Sequence, residues 1–466
     1  MHTDPSTPTS AGAHPAADPD VIDALLDQAE AALGQGQTDQ ARAVFQEVLR
    51  LDPQQFDALH LLGVMAMQQR DFPACIDLIS QAIAVDAEVA MAHANLGIAW
   101  LESQQPDHAL VCFDQAISLE SDYAPAHFGR GVACVALKQW ESAIASFGQA
   151  LALQPGNAEA YFNQGNAFLA LERFDEAIDS YSHALALQPQ HAAALINRGH
   201  ACVALSRSSE AITNYDQGIA LQPDSAAAFS GRGVAYLAMQ RFEEAVSNFD
   251  RSLALKPDQP SVLGNRGSAL LKLRRLAESI RSYEQAIQLD PRDATVRSNF
   301  GGALREAERW PEALLQCERA LEINADHAGA HMNRGNALLD MGQVSAAREA
   351  FARTHALQPA DADAQWGQGW CDLLLGDWAR GLPQLEWRWK KGSFKNAQPR
   401  TFTQPLWLGQ SDLRGRTILL HAEQGLGDTL QFCRYVPLVA ALGARVLLEV
   451  QPALKSLMGT LAGGAQ

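Results

Sequence analysis

The chain has 466 residues, of which 47% are hydrophobic and 19% charged, too apolar for a disordered chain and enough to bury a large core. Thirty-six Lys and Arg stand against 53 Asp and Glu, a net charge of −17, which argues against nucleic acid or an anionic membrane surface as partner and suits an elongated soluble protein. No stretch approaches the roughly eighteen uninterrupted apolar residues of a membrane-spanning helix, so no membrane association is expected.

The first residues, MHTDPSTPTSAGAHPAADPD, lack the basic start and apolar core of a signal peptide, and residues 1–19 read as a disordered tail. The seven cysteines, Cys75, Cys112, Cys134, Cys202, Cys317, Cys371 and Cys433, lie singly in apolar contexts without a CxxC pair. They read as small core residues of a reducing compartment, neither disulfides nor metal ligands, and the expected location is cytoplasmic.

From residue 20 to 391 one period governs the chain. Glycines recur at Gly63, Gly97, Gly131, Gly165, Gly199, Gly233, Gly267, Gly301, Gly335 and Gly369, each 34 residues after the last. Twelve residues after most of them comes an alanine (Ala109, Ala143, Ala177, Ala211, Ala245, Ala313, Ala347). Four further on stands an aromatic (Phe113, Phe147, Tyr181, Tyr215, Phe249, Tyr283, Phe351), and most units close on a proline such as Pro155, Pro189, Pro223, Pro257, Pro291 or Pro359. Apolar residues three and four apart predict helices, the small residues mark close helix crossings, and the proline ends the second helix of a hairpin.

This pattern resembles the tetratricopeptide repeat family over about 370 residues, from roughly Pro19 to Lys390. With a degenerate first unit (Ala41, Phe45, Pro53) and a degraded last one, where Gly381 and Leu385 replace the alanine and the aromatic, there are eleven hairpins. The resemblance implies an all-α superhelix whose concave face is lined mostly by the first helix of each hairpin.

Two residues before the repeat glycine stand Asn95, Asn163, Asn197, Asn265, Asn299 and Asn333, about 200° around the helix from it. Asparagine is a middling helix former, so its recurrence needs a reason. An amide both donates and accepts, which suits the main chain of an extended peptide. The row is similar to the asparagine ladder of O-linked N-acetylglucosamine transferases, which implies a peptide-clamping groove; the alternative is a bond from each Asn to a neighbouring repeat. His93, His127 and His331 share another repeat position. Equivalent atoms in adjacent repeats lie on the order of 10 Å apart, too far to share a zinc, so these read as groove or surface histidines and no metal or cofactor is expected.

After Lys391 the period stops. Residues 392–416 read as a linker, and 417–466 as an incomplete α/β segment. Thr417 to Gln424 reads as a strand, Gly425-Leu426-Gly427-Asp428-Thr429 as a tight turn, Leu430 to Leu442 as a helix, and Ala444 to Val450 as a second strand, a βαβ unit. The turn admits three readings. It is a dinucleotide site with Glu449 as the ribose acid, although Leu430 stands where the fingerprint wants a third glycine; or Asp428 merely caps the helix; or it belongs to a transferase. The segment HAEQGLGDTLQFCRYVPLVAALGARVLLEVQPAL resembles the glycosyltransferase domains that follow such repeats in bacterial proteins, and heptosyltransferases, through Gly427, Asp428 and Pro437. That resemblance implies Asp428 as catalytic base for an acceptor hydroxyl, with Gly425, Gly427 and Thr429 at a phosphate or sugar. Two strands cannot supply the core of a transferase with two Rossmann-like halves, so no transferase activity is expected from these 466 residues alone.

The sequence thus points first to a scaffold that binds an extended polypeptide in an Asn-lined groove. The alternative is the substrate-recognition half of a nucleotide-sugar-dependent glycosyltransferase, and self-association through the βαβ edge or terminal repeats is a third option. The run Trp387-Arg388-Trp389-Lys390-Lys391 is read as packing the last helix against the α/β segment, with partner contact as the alternative.

Overall fold

The computed structural model describes residues 18–390, 404, 405, 407, 409, 411–422 and 425–461. The expected tail therefore lies almost wholly outside the described residues, as do Lys391 and much of the expected linker. The chain forms two compact units, Met1–Trp387 and Arg388–Gln466.

The first unit is a run of eleven antiparallel helical hairpins, here repeats 1 to 11, each with an A helix and a B helix. Repeat 1 pairs Pro19–Gly34 with Thr38–Leu51, and repeat 11 pairs Ala362–Leu374 with the shorter Trp378–Leu385. The repeat glycine lets the two helices of a hairpin close on each other. A methyl group added at Gly165 would lie 2.6 Å from the Tyr181 ring, and one at Gly335 would lie 2.8 Å from Phe351. Those rings, with Phe113, Phe147, Tyr215, Phe249 and Tyr283, are fully buried between hairpins, each over its own repeat's glycine. In repeat 9 Cys317 fills the aromatic position against Gly301, and in repeat 2 Ile79 meets Gly63.

Most B helices stop two residues before a proline, and those of repeats 2, 3 and 9, which end at Val85, Leu119 and Ile323 with no proline there, stop at the same repeat position. Leu153, Leu187, Leu221, Leu255, Leu289 and Leu357 end helices two residues before a proline, and the residue between is extended, as at Gln154 (φ −132°, ψ 81°). The turn from A to B helix passes through one residue with positive φ in every repeat: Gly36, Arg70, Gln104, Lys138, Glu172, Ser206, Gln240, Arg274, Glu308, Gly342 and Gly376. Around Gln240 the amide of Arg241 reaches back to the Tyr236 carbonyl at 2.9 Å, the closure of a Schellman turn.

All seven cysteines carry free thiols, five of them buried; burial pushes the Cys75 thiol up to about 11 and Cys317 to about 12. Cys112 and Cys433 are only half-buried, a departure from the uniform core expectation. No helix among the described residues is long and apolar enough to cross a membrane.

In the second unit β1 (Thr417–His421) pairs in parallel with β2 (Arg445–Glu449), Thr417 opposite Arg445 and His421 opposite Glu449. The described connection is helical, but not as one helix from Leu430 to Leu442. Helix begins earlier, at Leu426–Phe432, and resumes at Val436–Ala441 after a 3-10 turn at Cys433–Tyr435. Pro437, which has no N–H to give a preceding turn, sits in the first turn of the later helix.

Candidate functional site

A helices of successive repeats touch one another, whereas B helices reach neighbouring hairpins mainly through A helices. The A helices therefore share one side of the solenoid, and it carries the asparagine positions. Those positions do not form a uniform row. The amide of Asn95 lies 3.0 Å from Nε2 of His60, that of Asn197 donates to Asn166 Oδ1 at 2.8 Å, and that of Asn333 donates to the Ser298 carbonyl at 2.9 Å. Each of these bonds ties an A helix to the A helix one repeat earlier, the neighbour-bonding alternative. Among the described residues the amides of Asn163, Asn265 and Asn299 make no such bond; Asn163 and Asn265 are half-buried, and Asn299 is exposed.

Asn95, Asn197 and Asn333 face a polar partner in His60, Asn166 and Ser298. The residues equivalent to His60 and Asn166 in the repeat before Asn163 are Phe128 and Val132, whose side chains offer no acceptor; before Asn265 and Asn299 the serines Ser230 and Ser268 stand at one of these positions without bonding the amide. Where the position carries glycine it faces the aromatic of the preceding repeat, as Gly231 faces Tyr215, Gly129 faces Phe113 and Gly367 faces Phe351.

Between repeats 4 (Ala124–Ala136, Trp140–Leu153) and 5 (Ala158–Ala170, Phe174–Leu187) the A helices leave a cleft of about 390 Å³. Phe128, Val132 and Val135 form one wall, Glu159 and Asn163 the other, and Phe147 the floor. The Phe128 and Phe147 rings lie 5.8 Å apart, a tilted pair that holds the floor in place.

The histidines His93, His127 and His331 serve the turns and not the groove. Each sets its Nε2 2.9 Å from a carbonyl six residues earlier, Ala87, Ser121 and Ala325 respectively. Among the described residues no group of three or more His, Cys, Asp or Glu could hold a metal ion.

Sequence reasoning missed an arginine clamp. Arg130 donates to Asp114 (2.6 Å) and to Ser146 Oγ (2.7 Å), bridging the B helices of repeats 3 and 4. Arg198 joins Ser182 to Asn214, Arg232 joins Asp216 to Asn248, and Arg266 joins Asp250 to Ser282. The signal was present: these arginines directly precede repeat glycines, at the same period.

In the second unit Gly425, Gly427, Asp428 and Thr429 do not form a free tight turn. Gly425 is the N-cap of the helix Leu426–Phe432, and Asp428 lies within the first helical turn and does not cap it. A carboxylate there still favours the helix N-terminus electrostatically. The Thr429 hydroxyl donates to Gln451 Oε1 at 2.9 Å and approaches the Gly425 carbonyl at 3.3 Å, so it is engaged within the chain. Glu449, the residue weighed as a ribose acid, ends β2 opposite His421.

The family model described as tetratricopeptide repeat matches residues 26–84, 95–158, 135–192, 265–328 and 332–391, more than half of the chain, and related repeat models match 199–240 and 226–259. No curated protein matches the sequence. Similar solved structures include YrrB, described as a TPR protein with an unusual peptide-binding site (23% identical, covering 40% of this chain and 96% of that one, TM-score 0.35). The anaphase-promoting-complex hetero-tetramer Cut9–Hcn1 (12% identical, 79% and 93% covered, TM-score 0.47) and yeast Tom70 (13%, 79% and 91%, TM-score 0.38) are also similar.

Proposed function

Because the chain belongs to the tetratricopeptide repeat family, we propose that its solenoid is a protein-interaction scaffold that takes an extended polypeptide along the A-helix face. The observation that carries this reading is the split asparagine row. Asn163, Asn265 and Asn299 keep amides that the described residues do not engage, on the side where A helices face one another. An amide so placed offers a donor and an acceptor to a peptide main chain, which an A-helix surface of Val, Leu and Ala cannot. Asn95, Asn197 and Asn333 then shape the groove by holding adjacent A helices together, and the ligand is met by the other three.

The test is binding of a random extended-peptide library to the full chain and to a variant with Asn163, Asn265 and Asn299 changed to Ala. Binding lost in a variant of unchanged helicity supports the reading; equal binding by both, or none by either, sinks it.

A second reading concerns the second unit. The parallel pairing of β1 and β2 through a helical connection that opens at Gly425 favours a glycosyltransferase-like element, with Asp428 as base and the Gly425–Thr429 segment near phosphate or sugar. Thermal stabilisation of the full chain by nucleotide sugars, abolished by Gly427→Val, supports it; no shift with any nucleotide sugar overturns it.

A further inference from the structure

The cleft between repeats 4 and 5 joins three features that point to one ligand chemistry. One wall and the floor are apolar, from Phe128, Val132, Val135 and Phe147. One wall carries the Asn163 amide, which bonds nothing among the described residues. Glu159 stands four residues earlier on the same helix, on the same face, exposed and without an ion-pair partner among the described residues. Its volume of about 390 Å³ lies in the range of about 300–1,000 Å³ that small ligands occupy, and it is ample for one large side chain.

Between repeats 5 and 6 (A helix Ala192–Ala204) the Asn166–Asn197 bond ties the A helices together, and between repeats 2 and 3 the His60–Asn95 contact does the same. At the junction of repeats 4 and 5 the residues opposite Asn163 are Phe128 and Val132, and among the described residues no hydrogen bond of the Asn163 amide bridges the two A helices.

We propose that this cleft is the anchor subsite of the groove and selects a peptide carrying a large apolar residue, Phe, Leu or Met, next to a Lys or Arg. This rests on the groove reading. The apolar side chain enters between Val132 and Val135 and covers the Phe147 floor. The Asn163 amide takes the anchor residue's own main-chain N–H and C=O, and Glu159 meets the neighbouring cation at the rim. A basic partner also suits a chain of net charge −17, whose field draws cations toward it.

The experiment uses the full chain and fluorescein-labelled peptides in a Gly-Ser frame with a central Phe-Lys, Ala-Lys or Phe-Glu pair, read by anisotropy at low and high salt. Removing the anchor ring is expected to weaken binding about tenfold or more, the scale of burying one aromatic side chain. Reversing the neighbouring charge is expected to weaken it by a further factor of about two to five, less at high salt, as for an exposed ion pair. Val135→Trp enlarges a half-buried residue of the apolar wall and should abolish the preference for Phe over Ala, while Glu159→Lys should invert the preference between Lys and Glu. Both variants leave the core aromatic Phe147 in place, and unchanged helicity checks that they fold. Equal affinity for all three peptides, or a preference that survives Val135→Trp, overturns the subsite. If the random library binds but these preferences are absent, only the subsite falls; if nothing binds the unmodified chain, the groove falls with it.

Discussion

The side-chain amide of Asn197 donates to Oδ1 of Asn166, one repeat earlier, at 2.8 Å, and the same oxygen accepts the Tyr181 hydroxyl at 2.8 Å. Two helices and a core ring thus meet on one carbonyl. Asn197→Ala should lower stability by about 1 kcal/mol, the net worth of such a bond, while Asn163→Ala, with no bond to lose and a better helix former gained, should leave it level or raise it by about 0.5 kcal/mol. Urea midpoints of the two variants check this, and peptide binding should respond in the opposite order.

His60 is buried, and the nitrogen 3.0 Å from its Nε2 is the Asn95 amide, which can only donate. The imidazole must therefore accept, which requires its neutral form. Burial lowers its pKa from the ordinary value, against a smaller opposing pull from Asp57. A folded-state pKa below the unfolded one means the contribution is complete above about pH 6.5 and is lost as pH falls through the folded value. Melting temperature should decline on acidification below that point, and His60→Leu should flatten the slope.

Eight of the eleven A-to-B turns hold a non-glycine residue at positive φ, while Gly36, Gly342 and Gly376 occupy it in the others. Gln240, at φ 59°, is exposed. Gln240→Gly should stabilise by about 1 kcal/mol, since the left-handed conformation is unfavourable by about that much for a residue with a Cβ. Calorimetry on the single variant decides it, and a fall in stability would refute the strain.

The three core tyrosines are not equivalent. Tyr181 reaches Asn166, and the Tyr283 hydroxyl lies 2.9 Å from Ser268 Oγ, whereas the buried hydroxyl of Tyr215 has no partner among the described residues. Tyr181→Phe and Tyr283→Phe should each destabilise by about 1 kcal/mol, and Tyr215→Phe should be neutral or stabilising. Chemical denaturation of the three variants in parallel would show it.

Glycine has two meanings here. A Cβ at Gly165 would meet the Tyr181 ring at 2.6 Å, while one at Gly148 meets only the end of Gln164 at 3.8 Å. Gly165→Ala should lose about 1–3 kcal/mol to overpacking, and Gly148→Ala should gain up to about 1 kcal/mol from helix propensity. Opposite shifts in thermal midpoint are the expected result.

The sequence alone determined the helical hairpins and their number. Those features rest on local rules repeated every 34 residues: a helical apolar period, a glycine that must lie under a ring, and a proline that stops a helix. Repetition turns weak local signals into one strong one, and the arginines before the glycines lay in the same register, although their clamp across B helices did not follow from spacing. The division of the asparagines was a different matter. Asn163 and Asn197 occupy identical repeat positions, and their difference comes from what the preceding hairpin sets opposite each, Val132 or Asn166. The place of Asp428 inside a helical turn likewise depended on where the helix began. Whether an amide is engaged is a property of a pair of residues some 31 to 35 apart, and only packing one hairpin on the next chooses the pair.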